Sequence, residues 1–180
     1  VSSLSNSFTL KTPRSSNKIE CFTPKVQAGV EHLPSNRIKP SENCDTNFSR
    51  GSYNASLFAV GSILTACDLV IKKEATNAFC CVRPPGHHAG FKGHVFKSSS
   101  CGFCIFNGIA VAAVYALDFA RWPLSEKEIA RGIPDEKRVA IIDIDVHHGN
   151  GTEEIVRTLG RSSEIFFASV HLFDEEFYPG

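Results

Sequence analysis

Methionine is absent from the 180 residues, tryptophan occurs once, and 19 basic side chains are cancelled by 19 acidic ones. Without net charge, no whole-chain field draws the protein onto nucleic acid or an anionic membrane surface. No apolar run approaches the roughly 20 residues that a bilayer-spanning helix needs, and no secretory hydrophobic segment opens the chain. The missing methionine and the start at Val1 lead us to expect a fragment. Seven cysteines, an odd number at irregular positions, do not fit a secreted disulfide framework. Cys67, Cys80, Cys81 and Cys104 lie in apolar surroundings, where free cysteine acts as a small hydrophobe, so a reducing compartment is expected. What is present is apolar: 42% of the residues are hydrophobic, enough for one buried core.

Residues 1–18 are rich in Ser and Thr, carry Lys11, Arg14 and Lys18, and contain no acid. That composition predicts a disordered arm, with an organelle transit remnant as the alternative. Pro24, Pro34 and Pro40 keep the next stretch irregular. From Tyr53 to Ile71, Leu57, Val60, Ile63, Leu64, Cys67, Val70 and Ile71 recur at helical spacing. A strand is predicted at Asn77–Val82, stopped by Arg83-Pro84-Pro85, and a buried helix over residues 105–121. A β-rich run at Arg138–Asp145, a short helix after Thr152 and a strand at Glu164–Val170 follow. This alternation predicts an α/β fold with a parallel sheet buried on both faces. In such sheets ligands gather beyond the carboxyl ends of the strands. Gly86-His87-His88, Asp145-Val146-His147 and the segment from His171 all fall there.

Asp143, Asp145 and His147 alternate at the end of an apolar run, so on an extended strand they point the same way. Helix capping would account for one acid, but hardly for two acids and a histidine. A buried carboxylate needs a partner, and Asp-x-His supplies the oxygen and nitrogen suited to Zn²⁺ or a similar divalent ion. His87 and His88 follow Pro-Pro-Gly and offer bases to work on a metal-activated water, the alternative being a turn whose histidines cap carbonyls. Cys101-Gly102-Phe103-Cys104 lacks a second Cys-x-x-Cys, so packing is favoured over a redox or zinc role. Phe103 beside a glycine could line a slot for an aliphatic chain, core packing being the default. Asp174-Glu175-Glu176 is either a solvated loop or an acidic rim for a cationic substrate.

Taken together, Arg83–Ala89, Gly102–Asn107, Asp143–Thr152 and Phe177–Gly180 resemble the zinc-dependent histone deacetylase family of the arginase/deacetylase fold. The resemblance runs from about Asp45 to Gly180. Arg-Pro-Pro-Gly-His-His and Asn150 resemble its class II branch. It implies a three-layer α-β-α fold with a mostly parallel sheet, and a partial deacetylase domain over residues 41–180 after a poorly assignable segment at 1–40. Asp145 and His147 would be two of three zinc ligands. His88 would be the base that activates water and then the acid for the leaving amine. His87, oriented by Asp143, would assist electrostatically, and Asn150 would orient His88. Gly102, Phe103 and Tyr178 would line the acetyl-lysine tunnel, Tyr178 standing where phenylalanine is usual, with Asp45 as the rim residue that binds substrate backbone. Asp143, Asp145, His147, Ser169 and Val170 resemble a structural potassium site.

The implied activity is hydrolysis of the acetyl amide of Nε-acetyl-lysine in histones or other proteins, in the nucleus or cytoplasm, within a corepressor complex. An acetylpolyamine amidohydrolase and a truncated, non-catalytic binding partner are the alternatives. An arginase-like urea hydrolase would need a second carboxylate metal cluster. The family's third zinc ligand, a later aspartate, and its oxyanion-stabilising tyrosine or histidine fall beyond Gly180. Weak zinc binding and little turnover are therefore expected of the chain alone.

Overall fold

The computed structural model describes residues 45–93, 95, 100–120, 122–123, 130–131, 137–174 and 176–179. The expected arm at 1–18 and the irregular stretch after it up to residue 44 lie outside the described residues, as do Glu175 and Gly180. The elements are α1 (Ser52–Ile71), α2 (Gly108–Asp118), β1 (Val139–Asp143), α3 (Asn150–Leu159) and β2 (Ile165–Ser169). Helix α1 begins where the apolar periodicity predicts. It presents Val60, Leu64 and Ile71 to Ala112, Tyr115 and Ala116 of α2. The other side of α2, through Ala113 and Leu117, packs on Ile141 of β1 and Ile165 of β2, with Val156 and Leu159 of α3 against the same cluster. Helix α2 is therefore the central element, with α1 on one side and the sheet on the other. It starts at Gly108 because the side chain of Asn107 accepts a hydrogen bond from the Ala110 N–H at 3.1 Å, satisfying a first-turn donor.

Strands β1 and β2 are parallel, with Val139 opposite Ile165 and Asp143 opposite Ser169. Among the described residues they make a two-stranded sheet, which corrects two expectations. Asn77–Val82 forms no strand: its apolar composition supplies the propensity, but among the described residues no strand pairs with it, and Phe79 is 92% exposed. Among the described residues the sheet is also covered on one face only. Ile141 and Ile165 are buried, whereas Ala140, Ile142, Ile144 and Phe166 are exposed.

Helix α1 corrects a third expectation, because it has 20 residues and a mean hydropathy of 1.7 over its apolar window, enough by length and composition to cross a membrane. Its Ser56, Ala59, Val60, Leu64 and Ile71 are buried inside the protein, while Phe58, Leu69 and Val70 are exposed. Cysteine placement is mixed: Cys101 and Cys104 are buried, but Cys81 is exposed, against its expected apolar setting. Cys67, Cys80, Cys81 and Cys104 are free thiols. Burial pushes the Cys104 thiol up to about 11, which suits packing and not thiolate chemistry.

One polar tie crosses the α1–α2 seam: the Tyr115 hydroxyl donates to Asp68 Oδ1 at 2.7 Å. Burial, reinforced by the Asp68 carboxylate, pushes the Tyr115 phenol up to about 12 from an ordinary value of 10. A raised folded-state value stabilises fully below the unfolded value and is lost as pH rises through the folded one. Tyr115→Phe is therefore expected to cost about 1–2 kcal/mol at neutral pH. It should also flatten the fall in stability between pH 10 and about 12, read by urea unfolding at several pH values.

Candidate active site

The His87-His88 turn is held between the N-termini of α2 and α3. Asn107, buried, donates from Nδ2 to the Ala89 carbonyl and to Thr152 Oγ1, both at 3.0 Å. The Thr152 N–H donates to the His87 carbonyl at 3.0 Å, and Thr152 is fully buried. Gly151 sits against this turn: a Cβ there would collide with backbone atoms of His88 and Ala89. Gly102, at φ +51, lies so close to the His88 ring that a Cβ would collide with that side chain.

Each imidazole has its own orienting partner. His87 Nδ1 lies 2.9 Å from Asp143 Oδ2, and His88 Nδ1 lies 2.8 Å from Asn150 Oδ1. The same Asn150 oxygen accepts the Gly151 N–H at 3.0 Å, which fixes the amide orientation. His88 Nδ1 must then donate, leaving Nε2 with the lone pair. His88 is 3% exposed, and this burial, partly offset by Asn150, holds its pKa below the ordinary histidine value. The imidazole is neutral near pH 7, as a base must be. Burial alone would raise Asp143, but the hydrogen bonds from His87 and the Asp145 N–H outweigh it and hold the carboxyl below the usual range.

Asp145 and His147 converge, though not by strand alternation. Strand β1 ends at Asp143, and the expected continuation to Asp145 is replaced by two successive Asx turns. In these, Asp143 Oδ1 accepts from the Asp145 N–H at 3.1 Å and Asp145 Oδ1 from the His147 N–H at 2.8 Å. The aspartates find partners in local backbone donors, which ends the ladder. The turns bring His147 Nδ1 to 3.0 Å from Asp145 Oδ1. Bonds of about 2.0–2.1 Å to a tetrahedral zinc place neighbouring donors roughly 3.3 Å apart, so this pair fits two corners of such a site. Among the described residues no group of three or more His, Cys, Asp or Glu side chains is placed to hold a metal. Burial tends to raise Asp145, and the hydrogen bonds from His147 reverse it, so the carboxylate stays below its usual range.

The Tyr178 ring stands edge-on to His88, centroids 4.8 Å apart. Phe103, at φ +66, is exposed. Asp45 Oδ1 accepts from Thr46 Oγ1 at 3.0 Å and from Ser100 Oγ. Ser169 Oγ lies 2.8 Å from His171 Nδ1 and 3.4 Å from the Gly149 N–H, while Val170 is exposed and donates its N–H to the Asp143 carbonyl at 2.9 Å.

Sequence reasoning missed Phe177, whose ring stacks on His147 at 4.9 Å and 6°. It also missed Asn107, Thr152, Thr46 and Ser100. The Asn before an apolar helix and the Thr after Gly-Asn-Gly were available signals for two of these; Ser100, inside a serine run, gave none. A cavity of about 270 Å³ is lined by His87, Asp143, Asp145, Gly86, Phe106 and Ile109, among others. A larger one, about 520 Å³, lies beside Phe103 with Thr46, Ser52 and Arg83 and contains none of the imidazoles.

The family model for the histone deacetylase domain matches residues 12–180. Type-2 histone deacetylase 1 of Dictyostelium discoideum is 37% identical over 175 residues, 97% of this chain and 10% of that protein. Histone deacetylase 6 of Caenorhabditis elegans is 41% identical over 134 residues, 73% of this chain and 12% of its own length. The crystal structure of the HDA15 HD domain superposes with a TM-score of 0.63 at 31% identity, over 86% of this chain and 37% of that one. The chain thus spans about a tenth of the length of these two curated relatives. A site of paired, separately oriented imidazoles beside an Asp-x-His turn therefore sits in a chain that belongs to the histone deacetylase family, on its class II side, and covers part of the catalytic domain.

Proposed function

We propose that this site serves zinc-dependent hydrolysis of the acetyl amide of Nε-acetyl-lysine in histones or other proteins, in the nucleus or cytoplasm and in company with corepressor proteins. The observation that carries the reading is the approach of Asp145 Oδ1 to His147 Nδ1 beside a buried, neutral His88. Asp145 and His147 would hold the zinc, which when bound supplies Lewis-acid polarisation of the acetyl carbonyl and of water. His88 Nε2, its lone pair freed by the Nδ1–Asn150 bond, takes the proton of the attacking water and returns it to the departing lysine amine. His87, backed by Asp143, places a second imidazole 3.9 Å from the first, centroid to centroid, and favours charge developing at the reacting centre. Phe103 and Tyr178 flank the acyl-lysine stem, Gly102 leaves room beside His88, and Asp45 receives the peptide backbone. Asp143, Asp145, His147, Ser169 and Val170 would hold a structural potassium ion. In our reading residues 41–180 are the deacetylase portion, within a three-layer α-β-α domain that the two strands begin.

The test is zinc affinity by chelator competition, together with acetate release from an acetyl-lysine peptide and from acetylspermidine. Asp145→Ala and His147→Ala should each abolish measurable zinc retention. Equal zinc binding by parent and both variants would remove the reading, and preference for acetylspermidine would overturn the protein substrate.

A further inference from the structure

Ser100 lies outside the proposed catalytic machinery, yet it is 5% exposed and fully engaged. Its Oγ donates to Asp45 Oδ1 and accepts the Gly102 N–H at 3.0 Å, while its carbonyl accepts the Tyr178 hydroxyl at 2.8 Å. Three residues on, Phe103 adopts the left-handed region at φ +66, a conformation unfavourable for a bulky side chain that persists only where neighbours enforce it. The enforcement is visible. The Phe103 N–H donates to Thr46 Oγ1 at 3.0 Å, and Thr46, itself 3% exposed, donates to Asp45 Oδ1. Two successive amides, those of Gly102 and Phe103, are thus anchored to hydroxyls that both converge on Asp45 Oδ1.

We propose that Ser100 is a positioning and specificity-determining residue that joins the rim carboxylate to both aromatic walls. The proposal rests on the deacetylase reading above and adds what the mouth selects: an acyl-lysine within an extended peptide, in preference to the free acylated amino acid. The carboxylate is held by Oδ1, and among the described hydrogen bonds none uses Oδ2, the atom that would accept a substrate backbone N–H. The Tyr178 hydroxyl, absent from a phenylalanine, lets the wall beside His88 move with the same serine. Backbone recognition at Asp45 and stem recognition between Phe103 and Tyr178 then happen in one rigid frame, and a ligand that offers both groups gains most.

The test measures dissociation constants of the zinc-treated chain for a fluorescent acetyl-lysine hexapeptide and, by competition, for free Nε-acetyl-lysine. The parent should prefer the peptide. Ser100→Ala should reduce that preference by about tenfold, the worth of one hydrogen bond to a carboxylate, with zinc affinity unchanged and faster amide exchange at Gly102 and Phe103. Tyr178→Phe, which keeps Ser100 and the ring, should lose part of the preference, and decides the matter if Ser100→Ala fails to fold. A parent without peptide preference, or variants that retain it in full, would overturn the proposal and leave the deacetylase reading intact. A parent that binds neither ligand would overturn both.

Discussion

Gly151→Ala is expected to destabilise the protein at or above the upper end of the 1–3 kcal/mol usual for overpacking, about 3 kcal/mol. The three atoms that an added Cβ would meet all belong to the backbone of His88 and Ala89, so no side-chain rotation relieves the clash. Either α3 or the His87-His88 turn must move. That turn is pinned by Asn107 and Thr152, so the strain passes to the imidazoles. Gly61→Ala is the control. It lies inside α1 with nothing within 4 Å of the added carbon, and should gain roughly 0.5–1 kcal/mol from backbone entropy alone. Denaturant midpoints of the two variants should therefore move in opposite directions. An unchanged midpoint for Gly151→Ala would mean that α3 does not press on the turn as described.

The second large effect concerns the base. Wherever turnover is measurable, His88→Gln should lower kcat/KM by about 10²–10⁴, the usual worth of a positioned proton acceptor. Asn150→Asp provides a finer test. A carboxylate in place of the amide oxygen now 2.8 Å from His88 Nδ1 favours the imidazolium and raises the His88 pKa. A base with a higher pKa is protonated up to a higher pH, so the acidic limb of the pH–rate profile should shift upward. A shift downward, or none, would place the working proton elsewhere than on His88.

Legibility in the sequence followed the kind of information each element depends on. Helix α1 could be read from the spacing of Val60, Leu64 and Ile71 because a helix closes its own hydrogen bonds. Residues 77–82 could not, because strand character requires a partner and nothing local indicates whether one is present. Helix α2 was expected to begin at residue 105, but the Asn107 cap sets its start at Gly108. Helix α3 begins at Asn150, two residues before Thr152. At the site, the residue types of Asp143, Asp145 and His147 carried the chemistry, whereas the geometry that gathers them is a pair of Asx turns and not the inferred strand. Ser100 and Thr46 were invisible because their roles come from contacts 55 and 57 positions along the chain.

Ile142 and Ile144 alternate with Asp143 and Asp145 along one short stretch of backbone, and the two isoleucines are uncovered, Ile144 by 82%. Any surface that closes over this pair bears directly on the peptide units that carry the two aspartates. The Asx turn that aims Asp145 toward His147 therefore shares its peptide units with a pair of uncovered apolar side chains.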